Sequence, residues 1–260
     1  MNKYNIYLGD NMKDALRRLA AYFIDLVVIY FVSALISSVI IANTNYDKFL
    51  STYEDFTNFT NTYVNFFEDF KKTYDDNNLS EKEYNMLIED YKDIVPTLDE
   101  AYSDNKLTKK EYNKIYDQAL EDYDSLYIEK NYDLAKMNTV NSVISIILTI
   151  VYFVIIQYFT KGKTIGKKLL KYRVVTNDCN PVSINNLLLR SLIITDVIWA
   201  SIRLYCLYTL DAYGYNNAAF YLNSIMYMIL FVSLLLVIYR KDKRALQDLF
   251  AGTKVIEEKE

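Results

Sequence analysis

The charged residues that interrupt the apolar runs of this chain are the ones whose types and spacing point to chemistry. Asp25 stands in "RRLAAYFIDLVV" (17–28), seven residues beyond Arg18, and so shares a helix face with it about 10 Å further along the axis. A carboxylate inside an apolar helix is costly unless it faces a protein interior, a partner charge or water, which makes Asp25 a candidate ion- or proton-handling group. Asp196 and Arg203 have the same spacing and share a face, whereas Arg190 points elsewhere. The plainer reading of these three is a helix-packing ion pair, with Arg190 snorkelling to the interface. Asp248 lies in "RALQDLFAGTKVI" (244–256), where Leu246, Leu249 and Phe250 would lie on a membrane surface and Gly252 would end the helix.

"KGKTIGKKLL" (161–170) looks at first like a phosphate-binding loop. A P-loop needs four residues between its first glycine and the Gly-Lys, then Ser or Thr to hold Mg²⁺. Here only three separate Gly162 from Gly166, and Lys168 follows Lys167. The stretch is better read as a basic turn at the lipid headgroups, with "KKLLKYRVV" along an anionic leaflet. Histidine is absent, which removes the commonest general base and metal ligand, and the two cysteines have no second pair nearby. No enzymatic activity, metal, cofactor or nucleic-acid partner is therefore expected.

The elements that must position these residues are mostly membrane helices. Four runs suffice to cross a bilayer, which takes about 20 apolar residues: 19–42, 140–159, 187–210 and 218–239. The third, with Arg190, Asp196 and Arg203, is the least apolar of them. Lys3, Lys13, Arg17 and Arg18 precede the first run, and Arg240, Lys241, Lys243 and Arg244 follow the last. Lys161, Lys163, Lys167, Lys168, Lys171 and Arg173 lie in the loop 160–186. Basic residues near span ends mark the cytoplasmic side, so both termini are expected inside and residues 43–137 outside. Nothing before residue 19 resembles a cleavable signal peptide, so the first span is read as retained.

Residues 43–137 carry 22 acidic side chains against 11 lysines, a net −11 that leaves +7 for the rest of the chain. Phe49, Phe56, Tyr63 and Phe70 recur every seven residues, with Tyr53, Phe59, Phe66, Phe67 and Tyr74 between them, and predict one long amphipathic helix. Tyr84, Leu87, Ile88 and Tyr91 form a second stripe, and Tyr112, Ile115, Tyr116, Ala119, Leu120 and Tyr123 a third. Capping boxes, Ser80 with Glu83 and Thr108 with Glu111, open the helices of these two stripes. "DNNLSEKEYN" (76–85) and "DNKLTKKEYN" (104–113) repeat at a spacing of 28 and overlap half of a calcium loop. Lys72 occupies a ligand position in the first, which excludes calcium there. In the second, Glu100 to Glu111, Tyr102 stands at the third position, and weak calcium binding or simple helix capping are the two readings, with capping expected.

Taken together, "RRLAAYFID", "GKTIGKKLLKYRVV", "PVSINNLLLRSLI" and "RALQDLFAGTKVI" come in the order and style of one family: the chain resembles the RDD membrane proteins of bacteria, named for one arginine and two aspartates. The resemblance covers roughly 13–42 and 138–256. It places the arginine at Arg18, with Arg17 beside it, and the aspartates at Asp25 and Asp248. Gly162, Thr164, Gly166, Lys167 and Arg173 match its Gly-x-Thr-x-Gly-Lys loop, and Arg190 its following arginine. Gln247 stands where the family often has a histidine, and the acidic insert has no counterpart in the family core.

The fold expected is all-α: a cytoplasmic segment 1–18, a span 19–42, an extracytoplasmic helical insert 43–137, a membrane core 138–256 and a tail 257–260. The resemblance implies ion or solute transport in the bacterial cytoplasmic membrane, with cation/proton exchange at Asp25 as the narrower expectation. Four spans make a small core, so a homo-oligomer is expected to line any pathway. The second reading is a non-catalytic scaffold whose acidic outer helices bind a partner, with the buried charges serving only helix packing.

Overall fold

The computed structural model describes residues 3–44, 46–76, 81–92, 94–95 and 108–258. Residues 77–80, with Ser80 of the first capping box, and 96–107, which hold most of the second calcium-like loop, lie outside the described residues. The chain divides into two compact units, Met1–Thr44 with Asn138–Glu260, and Asn45–Met137.

Three helices of the first unit are long and apolar enough to cross a membrane, with spans at Asn11–Ile40, Thr139–Phe159 and Ala212–Tyr239. The first span belongs to α1 (Lys3–Thr44) and the last is α10 (Ala212–Tyr239). The middle one runs through α5 (Thr139–Ile150), a π-helical segment (Val151–Ile156) and α6 (Gln157–Phe159). Large apolar side chains such as Phe23, Phe31, Phe220 and Phe231 stand exposed on these helices. That outward apolar surface suits lipid, whereas patches of such extent are rare on soluble monomers.

The expected third span is corrected. Residues 187–210 form two short helices, α8 (Ile184–Ile194) and α9 (Val197–Thr209), broken at Thr195 and Asp196. At 1.5 Å per residue neither reaches the roughly 30 Å of a hydrocarbon core. Backbone freed at the break finds partners: the Thr195 hydroxyl donates to the Ser191 carbonyl at 2.6 Å, and the Tyr22 hydroxyl to that of Ile194 at 2.8 Å. Such satisfaction is what permits a broken helix in an apolar setting.

The all-α expectation is also corrected, although the protein is mostly helical. After the five-residue α7 (Ile165–Leu169), strand β1 (Tyr172–Thr176) pairs antiparallel with β2 (Thr253–Glu257), which follows α11 (Leu246–Ala251). "KYRVV" is thus in a sheet instead of along a leaflet, and "TKVIE", after Gly252, is its second strand. Val174, Val175, Val255 and Ile256 are β-branched residues that favour such pairing. Val174 is buried with Val154, Val182 and Leu187 in a small core under the sheet.

In the second unit, α2 (Tyr46–Asp76) packs against α3 (Glu81–Tyr91) and α4 (Lys109–Met137). The aromatic stripes meet as expected: Phe66, Phe70, Leu87, Tyr91, Ile115 and Ala119 are buried together. Phe70 stacks on Tyr112 at 4.8 Å and Phe59 on Tyr123 at 5.4 Å, offset geometries that add to simple burial. Leu120, expected in the third stripe, is exposed. The second capping box forms: Thr108 N–H donates to Glu111 Oε2 at 2.8 Å, and Glu111 N–H to Thr108 Oγ1 at 3.3 Å. The Thr108 hydroxyl, which donates to Glu111 Oε2 at 2.7 Å, and then the Thr108 N–H hold the Glu111 carboxyl below its ordinary pKa.

Candidate functional site

Asp25 is fully buried on α1, and its carboxylate gathers the start of α7. Oδ1 accepts from the Tyr152 hydroxyl at 2.6 Å and the Gly166 N–H at 2.7 Å; Oδ2 accepts from the Thr164 hydroxyl at 2.6 Å. Lys167 Nζ stands 3.7 Å from Oδ2. Burial lowers the Lys167 ammonium to about 8, the Asp25 carboxylate opposes the shift, and Arg190 adds to it. Tyr152 relays the contact by accepting the Ile165 N–H at 2.9 Å. A negative charge is favoured at a helix start, where N–H groups lack intrahelical partners.

The glycines of this loop are dictated by space. A Cβ on Gly166 would sit 2.0 Å from the Ala21 carbonyl oxygen, so only glycine lets α7 lie against α1. Gly162 has φ +89°, in the left-handed region that a side chain strains, and a Cβ there would meet the Val174 oxygen at 2.2 Å. Gly-x-Thr-x-Gly-Lys is therefore a clasp: Gly166, the Thr164 hydroxyl and the Lys167 ammonium gather around the Asp25 carboxylate, and Gly162 lets the turn lie against Val174.

Asp248, also fully buried, forms a second clasp. Its Oδ2 accepts the Ala245 N–H at 3.0 Å, which closes the first turn of α11. Oδ1 pairs with Arg190 Nη1 and accepts the Thr253 hydroxyl at 3.2 Å, and Arg190 Nη1 also donates to Thr253 Oγ1 at 2.8 Å. Arg190 thus does not snorkel to an interface. Removing its charge from water requires a partner, and Asp248 supplies it. Nor does Asp248 lie on a membrane surface. Gln247 beside it is buried and accepts the Ser233 hydroxyl at 2.6 Å.

Arg17 and Arg18 hold the sheet. Arg18 donates to the carbonyls of Lys243 at 2.8 Å and Val255 at 3.1 Å, and pairs with Asp14 at 2.9 Å. Arg17 reaches Glu257 at 2.5 Å and the Leu170 carbonyl at 3.2 Å. Both guanidiniums approach the Tyr172 ring, at 5.1 and 5.8 Å from its centroid. Tyr172 donates to Asp14 at 2.6 Å, and its hydroxyl pKa is raised, first by burial and then by that bond. Arg18 and Asp25, although on one helix face, thus serve different partners.

The other expected residues divide. Asp196 pairs with Arg203, which also donates to Asn223 at 2.8 Å, apart from both clasps. Arg173 is half-exposed, 3.7 Å from Glu258, and belongs to neither. Sequence reasoning missed Asp14, Tyr152, Tyr172 and Thr253. Tyr152 is one of 26 tyrosines and sits in an apolar run, so nothing local marks it. Asp14, four residues before Arg18, is the one that an i,i+4 pairing rule finds.

Between the clasps lies a cavity of about 140 Å³. Arg18, Lys167, Arg190 and Asp248 line it beside Tyr22, Gln247 and an apolar wall that includes Leu19, Phe153 and Leu234. Among the described residues no cluster of acidic or cysteine side chains is arranged to hold a metal.

Three long apolar helices joined by buried polar clasps define an integral, multi-pass membrane protein. The chain matches the sequence model of the RDD family over residues 112–252, just over half its length, and it belongs to that family. The matched stretch contains Arg190 and Asp248, while Arg18 and Asp25 lie before it, on α1. No curated protein and no solved structure matches the chain.

Proposed function

We propose that this protein moves a small solute across the cytoplasmic membrane, and that the cavity between the two clasps is its solute site. The observation that carries the reading is that cavity: a space inside a membrane unit, with three cations and one carboxylate in an otherwise largely apolar wall. Binding sites of this kind pair apolar surface with a few convergent polar groups. In this reading both termini and the sheet face the cytoplasm and residues 43–137 lie outside, a topology that the basic segments near the span ends support.

Cation/proton exchange at Asp25, the narrower form, fits less well. Three hydrogen bonds and the Lys167 ammonium fill the carboxylate's acceptor positions. A cation there would have to displace the α7 turn.

The test uses proteoliposomes holding the purified chain. Volume changes after pulses of sugars, amino acids and weak-acid anions are followed by light scattering, and a trapped pH dye reports responses to Na⁺, K⁺ and Li⁺ gradients. Faster entry of one solute class than into protein-free vesicles is expected. Traces identical to empty vesicles for every solute and cation overturn transport. A dye response to a cation that Asp25→Asn abolishes returns the ion site to Asp25. The scaffold reading is favoured by the insert's separate core, and it predicts that deleting residues 46–134 abolishes function while the membrane unit still folds.

A further inference from the structure

We infer that the cavity takes a small organic monocarboxylate, about the size of benzoate; this rests on the reading of the cavity as a solute site. The first argument is the inventory of hydrogen-bonding groups. Asp248 spends Oδ1 on Arg190 and Thr253 and Oδ2 on Ala245. Arg190, by contrast, makes both its bonds from Nη1, and Gln247 and Ser233 bond through Oε1 of the amide. Among the described residues, Nε and Nη2 of Arg190 and Nε2 of Gln247 therefore donate to nothing, and Arg18 Nε is buried without an acceptor. Arg190 and Gln247 are each only 6% exposed, so what remains accessible on these nitrogens is a small area beside the cavity that both residues line. What the wall lacks is an acceptor, and a carboxylate is acceptor-only, with two oxygens that match a guanidinium fork.

Charge leads to the same ligand. Each cation has one carboxylate partner, Arg18 with Asp14, Lys167 with Asp25 and Arg190 with Asp248. Of those three carboxylates only Asp248 is in the cavity wall, so the wall itself is positive. Volume then limits size. A cavity of about 140 Å³ is close to the roughly 150 Å³ that holds one benzene ring in an apolar core. The apolar wall, with Leu19, Phe153, Leu230 and Leu234, receives the ring, and Arg190 with Gln247 receives the carboxylate.

Titration calorimetry of the full chain in detergent tests this with benzoate, its neutral isostere benzamide, and benzylammonium. Saturable benzoate binding is expected, with benzamide at least tenfold weaker and benzylammonium silent. Arg190→Lys keeps the charge but loses the fork and is expected to weaken benzoate about tenfold. Because Arg190 also holds the second clasp, two variants that spare it decide the matter: Gln247→Leu should weaken binding several-fold, and Leu230→Trp, which fills the space, should abolish it. Benzoate and benzamide binding equally, no benzoate binding, or displacement of benzoate by stoichiometric phosphatidylglycerol overturns the assignment. Benzoate binding without flux in vesicles upholds the site and overturns transport. Flux of another solute class without benzoate binding overturns the ligand and leaves transport standing.

Discussion

The membrane unit and the acidic insert solve the same packing problem by different means. In the insert, Phe66, Phe70, Leu87 and Ile115 bury apolar surface, and the charges stay outside on the helix faces. In the membrane unit many large apolar side chains of the long helices face outward, the buried apolar clusters are small, and Asp25, Asp248, Arg18 and Arg190 tie the interior. Water accounts for the difference. The insert gains from removing apolar area from solvent, whereas lipid tails are as apolar as leucine and give helices no such reason to associate. Hydrogen bonds and ion pairs then decide which segments meet.

The largest test of this contrast is Asp248→Ala. It leaves Arg190 buried without its carboxylate and should cost about 3–5 kcal/mol, read from denaturant unfolding in detergent. The double change Arg190→Met with Asp248→Leu should recover most of that, because an apolar pair of similar volume leaves no charge uncompensated. A single-mutant loss below about 1 kcal/mol, typical of an exposed pair, would break the contrast.

Phe66→Ala attacks the other unit and should cost roughly 3 kcal/mol through a cavity in the aromatic core. Hydrogen exchange would show it as faster exchange of the α2, α3 and α4 amides; unchanged protection would mean that the stripe is not the source of stability.

Gly166→Ala is a smaller change, about 1–3 kcal/mol, because the new methyl must push α7 off the Ala21 carbonyl. Loosening of that clasp should speed tryptic cleavage at Lys167 and Lys168, and an unaltered digestion rate would argue against the close approach.

The smallest effect is Thr108→Ala, about 1 kcal/mol from the lost cap of α4, with Thr108→Asp retaining most of it. Exchange at the first turn of α4 is the measurement, and equal loss in both variants would remove the cap from the account.

Much of the insert was legible because its information is local. The seven-residue aromatic spacing marks one face of α2 wherever the chain goes, and Thr108 with Glu111 close their cap within three residues. Candidate charges were legible only as candidates. Asp25, Asp248, Arg18 and Arg190 are conspicuous in apolar surroundings, yet their assignment followed nearest spacing, which paired Asp25 with Arg18 and left Arg190 at the interface. The third span read as one helix because hydropathy averages over the break at Thr195 and Asp196.

By itself, the sequence determined three of the four spans read from it, the aromatic helices of the insert, the second capping box and membership of the RDD family. The family rests on the order of its motifs and the rest on composition and period, none of which depends on where the chain turns back. Tertiary structure alone decided that Asp25 clasps the Thr164 to Lys167 turn, that Arg190 meets Asp248 across 58 positions, and that Tyr172–Thr176 and the distant Thr253–Glu257 form one sheet. A buried charge must find a partner, but which partner depends on the path of the backbone between them, and no local pattern carries that path.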